Sequence, residues 1–311
     1  MSETTLIPWA HSTVNDWSGC SKLSAGCANC YAEVRDRRMM QERVIHWGHG
    51  APRLKSKSAA AMRARLNKKP WICDACGNSM MGHPELYCTR IVDHCGTPCG
   101  SYSFHRRRIF SLSLGDWLDP EVPIEWLAGM LDSIRLADQC THILCTKRPE
   151  LWHDRVSSVA INMPTENGTH WIDSWVWGSA PQNIWLLTSV ENQEAADKRI
   201  PKLLNIPAAV HGISAEPLLG PVDLKLTWAQ PHERLGQNNT NHQVNWVIAG
   251  GESGPKARPC AVEWLRSIKD QCQAAQVPCF VKQDSGPKAG MQGRIPDDIF
   301  NVKEFPNARP D

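Results

Sequence analysis

The chain has 311 residues and a net charge of +2, with 41% apolar and 21% charged residues. This composition is typical of a soluble globular protein with a full core. We expect neither a membrane helix nor a signal peptide, because no apolar run approaches roughly 18 to 20 residues and the N-terminus lacks basic and apolar regions. Thirteen cysteines in such a chain favour metal ligation over disulfides, and a reducing, cytoplasmic compartment.

In chain order, the first feature is a cysteine array. Cys20, Cys27 and Cys30 have the spacing Cys-x6-Cys-x2-Cys and lead directly into a predicted helix. Three thiolates without an obvious fourth suit an iron–sulfur cluster with one open iron, whereas a structural zinc ion needs four ligands. A zinc site completed by a histidine such as His11, and three unliganded buried thiols, are the alternatives.

A basic block follows this array. Residues 35–69 contain eleven Lys or Arg and only two acids, a local charge of +9. Arg106, Arg107 and Arg108 form a second basic cluster. Such a block is typical of proteins that bind a nucleic-acid backbone. A solvated helix face carries the same pattern, so charge alone leaves both interpretations open.

A second cysteine array predicts an inserted Cys-rich, zinc-ribbon-like module over residues 71–104. Its cysteines are Cys73, Cys76, Cys88, Cys95 and Cys99. The Cys-x2-Cys opening followed by Gly77 resembles a zinc knuckle, and four of the five thiolates would complete a tetrahedral zinc site. His83 and His94 are further candidate ligands, and an auxiliary iron–sulfur cluster is the alternative. The other cysteines are predicted core residues: Cys140, Cys145, Cys260, Cys272 and Cys279.

From residue 105 onward, short apolar runs alternate with helical segments. The runs are Ile109–Leu114, His142–Cys145, Ile184–Leu187, Ala209–Ile213, Val244–Ile248 and Pro278–Val281. The helical segments include Ile124–Ala137, Glu194–Leu204 and Val262–Gln276. Continuous apolar runs indicate strands buried on both faces, and their alternation with helices indicates a parallel sheet. With one or two strands from residues 5–19, we predict an α/β fold: a complete or partial (β/α) barrel.

A polar cluster follows each predicted strand. Barrel active sites lie at the carboxyl ends of the strands, so these clusters form the candidate site. The candidate catalytic residues are Glu191, Glu216, Lys147 and Lys282, and the neighbouring polar residues are Asp116, Arg148, Ser253 and Gln283. Gly250 and Gly251 would let the backbone approach a ligand, and Glu252 would offer a carboxylate to an ammonium group. Lys147, Arg148 and Lys282 suit a carboxylate or phosphate.

These patterns divide the chain into three parts. Residues 1–70 hold the cluster loop and a basic helical segment, residues 71–104 the Cys-rich insertion, and residues 105–311 the remainder of the barrel. Residues 157–180 and 227–243 are polar and rich in Trp, Asn and Gly, which predicts long surface loops.

A set of segments resembles one known family. The segments are Gly19-Cys20, Gly26-Cys27-Ala28-Asn29-Cys30-Tyr31-Ala32-Glu33, Thr146-Lys147-Arg148-Pro149, Ser189-Val190-Glu191-Asn192, Ser214-Ala215-Glu216-Pro217-Leu218, Gly250-Gly251-Glu252-Ser253-Gly254 and Val281-Lys282-Gln283. Together they are similar to the phage-encoded three-Cys-motif proteins, a divergent radical-SAM-like family. The resemblance covers most of the chain except residues 71–104.

The resemblance implies a 4Fe-4S cluster on Cys20, Cys27 and Cys30 whose free iron binds S-adenosylmethionine (SAM). One-electron reduction would release a 5′-deoxyadenosyl radical that takes hydrogen from a substrate at the barrel mouth. The resemblance also implies that SAM binds at Gly250, Gly251, Glu252 and Ser253, with Glu252 near the methionyl amine. An electron donor such as flavodoxin would be a partner.

The resemblance further implies a substrate in phage DNA or a nucleotide. Most concretely, the protein would be an isomerase that moves a glycyl group from nitrogen to carbon linkage on thymine during DNA hypermodification. A radical SAM DNA-repair lyase is one alternative. A non-catalytic, zinc-dependent nucleic-acid-binding protein is the other, and it explains the basic block and the second array but not the polar strand ends.

Overall fold

A computed structural model of the chain describes residues 2–40, 44–81, 99, 104–162, 169–226 and 243–306. The strands are β1 (Ser12–Val14), β2 (Trp17–Ser18), β3 (Leu54–Lys55), β4 (Trp71–Cys73), β5 (Ser79–Met80), β6 (Phe104–Arg106), β7 (Arg108–Ser111), β8 (Thr141–Thr146), β9 (Ile184–Ser189), β10 (Val210–Ala215), β11 (Trp246–Gly250) and β12 (Cys279–Gln283). The α-helices are α1 (Tyr31–Met40), α2 (Ala59–Asn67), α3 (Ile124–Leu136), α4 (Trp152–Asn162), α5 (Thr169–Val176), α6 (Gln193–Leu204), α7 (Val262–Ala274) and α8 (Asp297–Phe300). Short 3₁₀ helices cover Ala25–Cys27 and Pro149–Leu151.

Seven strands form one sheet in the order β1-β7-β8-β9-β10-β11-β12. Every neighbouring pair is parallel, and from β7 onward each strand pairs with the next one in the chain. This sequential parallel order, with helices between the strands, is that of a (β/α) barrel. Within the described residues β1 and β12 do not pair with each other, so the sheet is a partial barrel.

The six predicted strands are confirmed as β7 to β12, with shifted ends. The first of them stops at Ser111, before its predicted end, because Leu112 adopts a positive φ of 68° that leaves the extended conformation. The segment before residue 20 adds β1 to the sheet, while β2 pairs with β3 in a separate two-stranded sheet. The three predicted helices appear as α3, α6 and α7.

Both faces of the parallel sheet are buried. Along β9, Ile184 and Leu186 join the core beneath the helices, while Trp185 and Leu187 join a core on the other face. That second core is aromatic and includes Trp9, Trp246 and Phe280 near the amino ends of the strands. The Trp9 ring lies 4.7 Å from the Phe110 ring and 6.2 Å from the Trp246 ring, so the segment before β1 crosses between β7 and β11. Aromatic side chains therefore fill the barrel at its amino end.

The prediction of a long surface loop over residues 157–180 is wrong. Its described residues belong to helices α4 and α5 as far as Val176, and only residues 177–180 lie outside a helix. Trp175 in α5 is fully buried, and its indole donates to the Pro207 carbonyl at 2.7 Å. Trp171 and Trp175 are four residues apart, so they lie on the same face of α5 and pack in the core beneath the helices. This apolar face decides the structure of the segment in spite of its polar composition. In the second predicted loop, residues 227–242 lie outside the described residues.

The basic block of residues 35–69 is not one surface. Arg63 in α2 is completely buried and donates to Asp16 Oδ1 at 2.7 Å and to Ser133 Oγ at 2.8 Å. The Arg53 side chain is 2% exposed and pairs with Asp119 at 2.9 Å. These two cations join elements inside the protein, so they do not face a partner.

Candidate functional site

A cavity of about 320 Å³ lies at the carboxyl edge of the sheet. It is lined by residues at or just beyond the carboxyl ends of six strands, β7 to β12. The loop that carries the first cysteine array forms another wall, and Cys20, Cys27 and Cys30 all line the cavity. The array and the polar strand ends, which are far apart in sequence, therefore meet in one place.

Most of the predicted site residues contribute to this cavity. Those lining it are Cys20, Cys27, Cys30, Asp116, Lys147, Arg148, Glu216, Gly251, Glu252, Ser253, Lys282 and Gln283. Two others stand directly behind the wall. A Cβ atom on Gly26 would lie 3.1 Å from Glu191 Cδ, and one on Gly250 would lie 2.8 Å from Glu216 Oε1. Glu191 thus supports the cysteine loop, and Gly250 makes room for a neighbouring carboxylate.

Cys20 is held by a buried ion pair. Arg148 donates to Cys20 Sγ at 3.6 Å and to the Ser21 carbonyl at 2.7 Å, and it pairs with Asp116 at 3.0 Å. Burial, reinforced by Asp116, raises the pKa of the Cys20 thiol to about 12 despite the Arg148 cation. Without a metal this thiol stays protonated at neutral pH. A bound metal ion deprotonates a thiol outright, and Arg148 then compensates the charge.

Cys27 has a different electrostatic environment. Burial raises the pKa of Cys27. The Lys147 ammonium and several hydrogen bonds lower it, and their combined effect is larger than that of burial. Those hydrogen bonds come from the backbone at Leu23 and Ser24 and from the Ser24 hydroxyl. The net effect is a lowered pKa, so Cys27 is the thiol of the array that ionises most readily.

Cys30 occupies the cap position at the amino end of α1. Its carbonyl accepts the first helical hydrogen bond, from Val34 N at 3.1 Å, and its thiol is hydrogen-bonded by the backbone of Ala32 and Glu33. Burial nevertheless raises the pKa of this thiol. Helix amino ends stabilise anions, so α1 is oriented to favour a thiolate at Cys30.

Glu252 ties the cysteine loop to β11. Arg258 donates to both of its oxygens, at 2.6 Å and 2.9 Å, and Asn29 Nδ2 donates at 2.9 Å. Arg258 also donates to the Ala25 carbonyl at 2.9 Å. Burial raises the pKa of Glu252, but these donors outweigh it and the net pKa is lowered. Glu252 is therefore an ionised carboxylate that anchors the loop between Cys27 and Cys30.

Of the remaining charged site residues, Lys282, Glu216 and Glu191 form ion pairs and Lys147 does not. Lys282 Nζ lies 3.0 Å from Glu216 Oε1, but the two atoms form an ion pair without a hydrogen bond, since that oxygen has no hydrogen-bond donor among the described residues. Glu191 pairs with Arg199 at 2.8 Å. Lys147 has no carboxylate within 4.0 Å in the described part of the chain. Burial lowers its pKa, but Cys27, Cys145 and Glu191 outweigh burial and the net pKa is raised, so it presents a cation to the cavity.

Gly19, just before Cys20, has a conformation that other residues avoid. Its φ is +112°, and a Cβ atom there would lie 2.4 Å from the His46 carbonyl oxygen. We expect Gly19→Ala to lower the free energy of unfolding by about 3 kcal/mol through strain and clash. The control is Gly129→Ala in α3, where a Cβ meets nothing within 4 Å. That change should stabilise the protein by about 0.5–1 kcal/mol, and urea unfolding of both variants measures the difference.

The second array brings three thiols together. The sulfur atoms of Cys73, Cys76 and Cys99 all lie within 4.8 Å of one another, a group that could hold a metal ion. Gly77, at φ 68°, closes the turn between β4 and β5, and its amide donates to the Cys73 carbonyl at 2.9 Å. Strands β5, β4 and β6 form a small antiparallel sheet around it. The other predicted ligands, Cys88, Cys95, His83 and His94, lie outside the described residues.

His11 is not positioned to complete the first array. It precedes β1, at the amino edge of the sheet, where its Nδ1 accepts from the Arg108 amide at 2.9 Å. Its Nε2 lies 2.8 Å from Nε2 of His105, which also contacts Asp74, a residue between Cys73 and Cys76. Burial and Arg108 lower the pKa of His11 to about 2, so it is neutral. It therefore belongs to the surroundings of the second array.

Comparison with known proteins places the chain in a family. The model of the family described as "Protein of unknown function (DUF5131)" matches residues 4–295. The chain belongs to this family. No curated protein and no solved structure matches the chain.

Three contributors to the site were missed from the sequence. Cys145 packs against the aromatic core, as predicted, but it also lines the cavity from β8, with its sulfur 3.5 Å from Ser189 Oγ. Alternation along β8 offered a signal, since Ile143 and Cys145 share one face of the sheet. Asn29 donates to Glu252 from the other end of the chain, and Arg258 does so from the irregular loop six residues after Glu252, so no repeating pattern indicated either residue.

No helix in the described ranges combines the length and apolarity needed to cross a bilayer.

Proposed function

We propose that Cys20, Cys27 and Cys30 hold a 4Fe-4S cluster and that the protein is a radical-SAM-like enzyme that modifies a nucleic-acid base. The observation that carries the proposal is the convergence of the three thiols on one cavity with the ends of six strands. Barrel enzymes place their chemistry at this edge. The open side of such a cluster would face the cavity, where a cofactor and a substrate can meet.

The number of thiols in the first array suits a cluster with an open position. In a cubane cluster each thiolate binds a different iron, so three cysteines leave one iron free for a further ligand. Among the described residues, the thiols that lie within 4.8 Å of one another are those of Cys73, Cys76 and Cys99, so a single ion bound directly by three thiolates fits the second array.

The charges around the array also fit an anionic cluster. Arg148 donates to Cys20, Lys147 lies near Cys27, and the amino end of α1 points its amides at Cys30. Each thiolate would have one source of positive potential. Hydrogen bonds and charges near the sulfurs set the potential of such clusters. When bound, the cluster and SAM would supply one-electron reduction and hydrogen-atom abstraction.

The other candidate residues would bind and orient the ligands. Lys147 would bind the carboxylate of SAM or an anionic group of the substrate, because it is the cavity lysine without a carboxylate partner in the described structure. Glu252 remains our candidate for the methionyl amine of SAM, alongside Gly250, Gly251 and Ser253. Its carboxylate already accepts four hydrogen bonds, one from Asn29 Nδ2 and three from the amide and guanidinium of Arg258, which fill its roughly four acceptor sites. Binding of the amine would therefore require one of these donors to be displaced. The Glu216–Lys282 pair would face the substrate.

The substrate we propose is a base in DNA, most concretely a thymine whose glycyl substituent is rearranged by isomerisation. A DNA-repair lyase with the same cofactors is the close alternative. An electron donor such as flavodoxin, in a reducing cytoplasm, would complete the system. These assignments follow from the family resemblance and are hypotheses about this chain.

The experiment is SAM cleavage by anaerobically purified protein. With dithionite and SAM, the protein should be brown and should form 5′-deoxyadenosine, detected by chromatography and mass spectrometry. Omitting dithionite is the control and should abolish the product. A colourless protein that carries zinc alone would instead support a non-catalytic, zinc-dependent nucleic-acid-binding protein, which the grouped thiols of the second array favour as the second candidate.

We further propose that the metal of the second array is zinc and that it stabilises a zinc-ribbon-like module. The thiols of Cys73, Cys76 and Cys99 supply three of the four ligands such an ion needs. We expect Cys76→Ser to lower the zinc content from about one ion per chain to near zero. Iron should remain unchanged, because the first array lies elsewhere. Elemental analysis checks both metals, and a loss of iron without a loss of zinc would contradict the assignment.

A further inference from the structure

The first helix, α1, separates its charges onto two faces. Its acids, Glu33 and Asp36, are buried at 6% and 7% exposure. Glu33 is paired with Lys22 at 2.7 Å and Arg37 at 2.9 Å, and Asp36 with His46 at 3.0 Å. The negative charges of the helix therefore point inward and are compensated there.

The outer face of α1 carries only cationic and apolar side chains. Its exposed residues are Tyr31, Val34, Arg35, Arg38 and Met39. Their spacing of three to four residues places them in one stripe along the helix. Arg35 and Arg38 form no ion pair with any residue that the structure describes. We call this surface the α1 stripe.

The α1 stripe begins at the cavity. Tyr31 is the first residue of the helix, lines the cavity and is 50% exposed. Its hydroxyl donates to the Ser113 carbonyl at 2.6 Å, which fixes the ring at the mouth. A continuous path therefore runs from the cavity past an aromatic ring to Arg35 and Arg38, which pair with no acid among the described residues.

We propose that the α1 stripe binds a DNA strand whose target base enters the cavity. Arginines bind phosphates, and an aromatic ring beside them is the combination that single-stranded nucleic acid requires. A base that enters an enclosed site must leave the duplex, so the bound strand is single or locally opened. The choice of DNA rests on the proposed function, whereas the polyanion surface rests on the charges of α1.

The rest of the basic block supplies a matched control. Lys68 and Lys69 are exposed, like Arg35 and Arg38, but they follow α2 at the amino edge of the sheet. The Lys69 carbonyl accepts from Arg107, just before β7 begins. These lysines are thus at the opposite edge from the cavity, and the same change of charge there should not disturb the bound strand.

The test is fluorescence anisotropy of a labelled single-stranded 20-mer DNA with the full chain. We expect Arg35→Glu/Arg38→Glu to weaken binding about tenfold or more, and Lys68→Glu/Lys69→Glu to leave it within about twofold. Loss of two phosphate contacts should also reduce the slope of log K against log salt by about 1.4. The milder Arg35→Gln/Arg38→Gln variant repeats the test if charge reversal impairs folding, as judged by circular dichroism.

Three results would overturn the inference. One is equal weakening by both pairs of changes, since that would mean diffuse attraction to the whole chain. Another is absence of DNA binding by the unchanged protein. The last is binding of anionic lipid vesicles through the α1 stripe in place of DNA. The 5′-deoxyadenosine assay without DNA is run in parallel, so failure of the α1 stripe is distinguishable from failure of the proposed chemistry.

Discussion

Replacing Cys20, Cys27 or Cys30 by serine should remove most of the iron from the protein and reduce 5′-deoxyadenosine formation to background. Each thiolate would hold a different iron, and two remaining ligands do not retain a cubane cluster well. Iron analysis, the visible absorbance of anaerobically purified protein and the SAM-cleavage assay measure the loss. Zinc content should be unaffected in all three variants.

Cys145 provides the matched control for this series. It lines the same cavity but stands on β8, outside the array, with its sulfur next to Ser189 Oγ. We expect Cys145→Ser to keep its iron and its absorbance. Full iron content in Cys27→Ser, or equal losses in all four variants, would contradict ligation by the array.

Arg63→Met should lower the free energy of unfolding by about 3–5 kcal/mol. Arg63 is fully buried and forms two contacts with the Asp16 carboxylate, so its removal leaves an uncompensated charge inside the protein. Urea unfolding followed by circular dichroism measures the change. The double variant Asp16→Asn/Arg63→Met should recover part of the loss, because no buried charge then remains.

Arg65→Met is the control two residues along the same helix. Arg65 pairs with Glu3 at 2.9 Å, but both side chains are more than half exposed. Exposed pairs contribute little, so we expect a change within about 0.5 kcal/mol. If Arg63→Met and Arg65→Met changed the free energy of unfolding by similar amounts, the buried Arg63–Asp16 pair would not have the stabilising role that we assign to it.

The parallel sheet was predictable because its strands are buried on both faces. Runs such as Ile184–Leu187 contain no polar residue to signal an exposed side, and such runs alternate with helical segments. Strand ends were less predictable. The structure extends β9 through Thr188 and Ser189, two polar residues that sequence reasoning assigned to the following cluster. Their buried surroundings, which the sequence does not display, decide where the strand ends.

The candidate site was predictable in its parts but not in its connections. The array and the polar strand ends follow from local spacing and from the geometry of parallel sheets. The contacts that join them do not, since Arg258 reaches Ala25 and Glu252 reaches Asn29 across most of the chain. The positive charge of residues 35–69 indicated a single basic surface for the same reason, since contacts between distant residues are not visible in the sequence. Arg53 and Arg63 look like surface cations in sequence, but each is buried beside an acidic residue from a distant part of the chain that compensates its charge.

The ⁵⁷Fe Mössbauer spectrum of anaerobically purified, iron-enriched protein, recorded with and without SAM, tests the central claim most directly. If three cysteines hold a four-iron cluster with one open position, addition of SAM should change the signal of one iron and leave the other three unaltered. A protein without iron that carries zinc at Cys20, Cys27 and Cys30 would contradict this account. So would a cluster whose Mössbauer spectrum does not change when SAM is added.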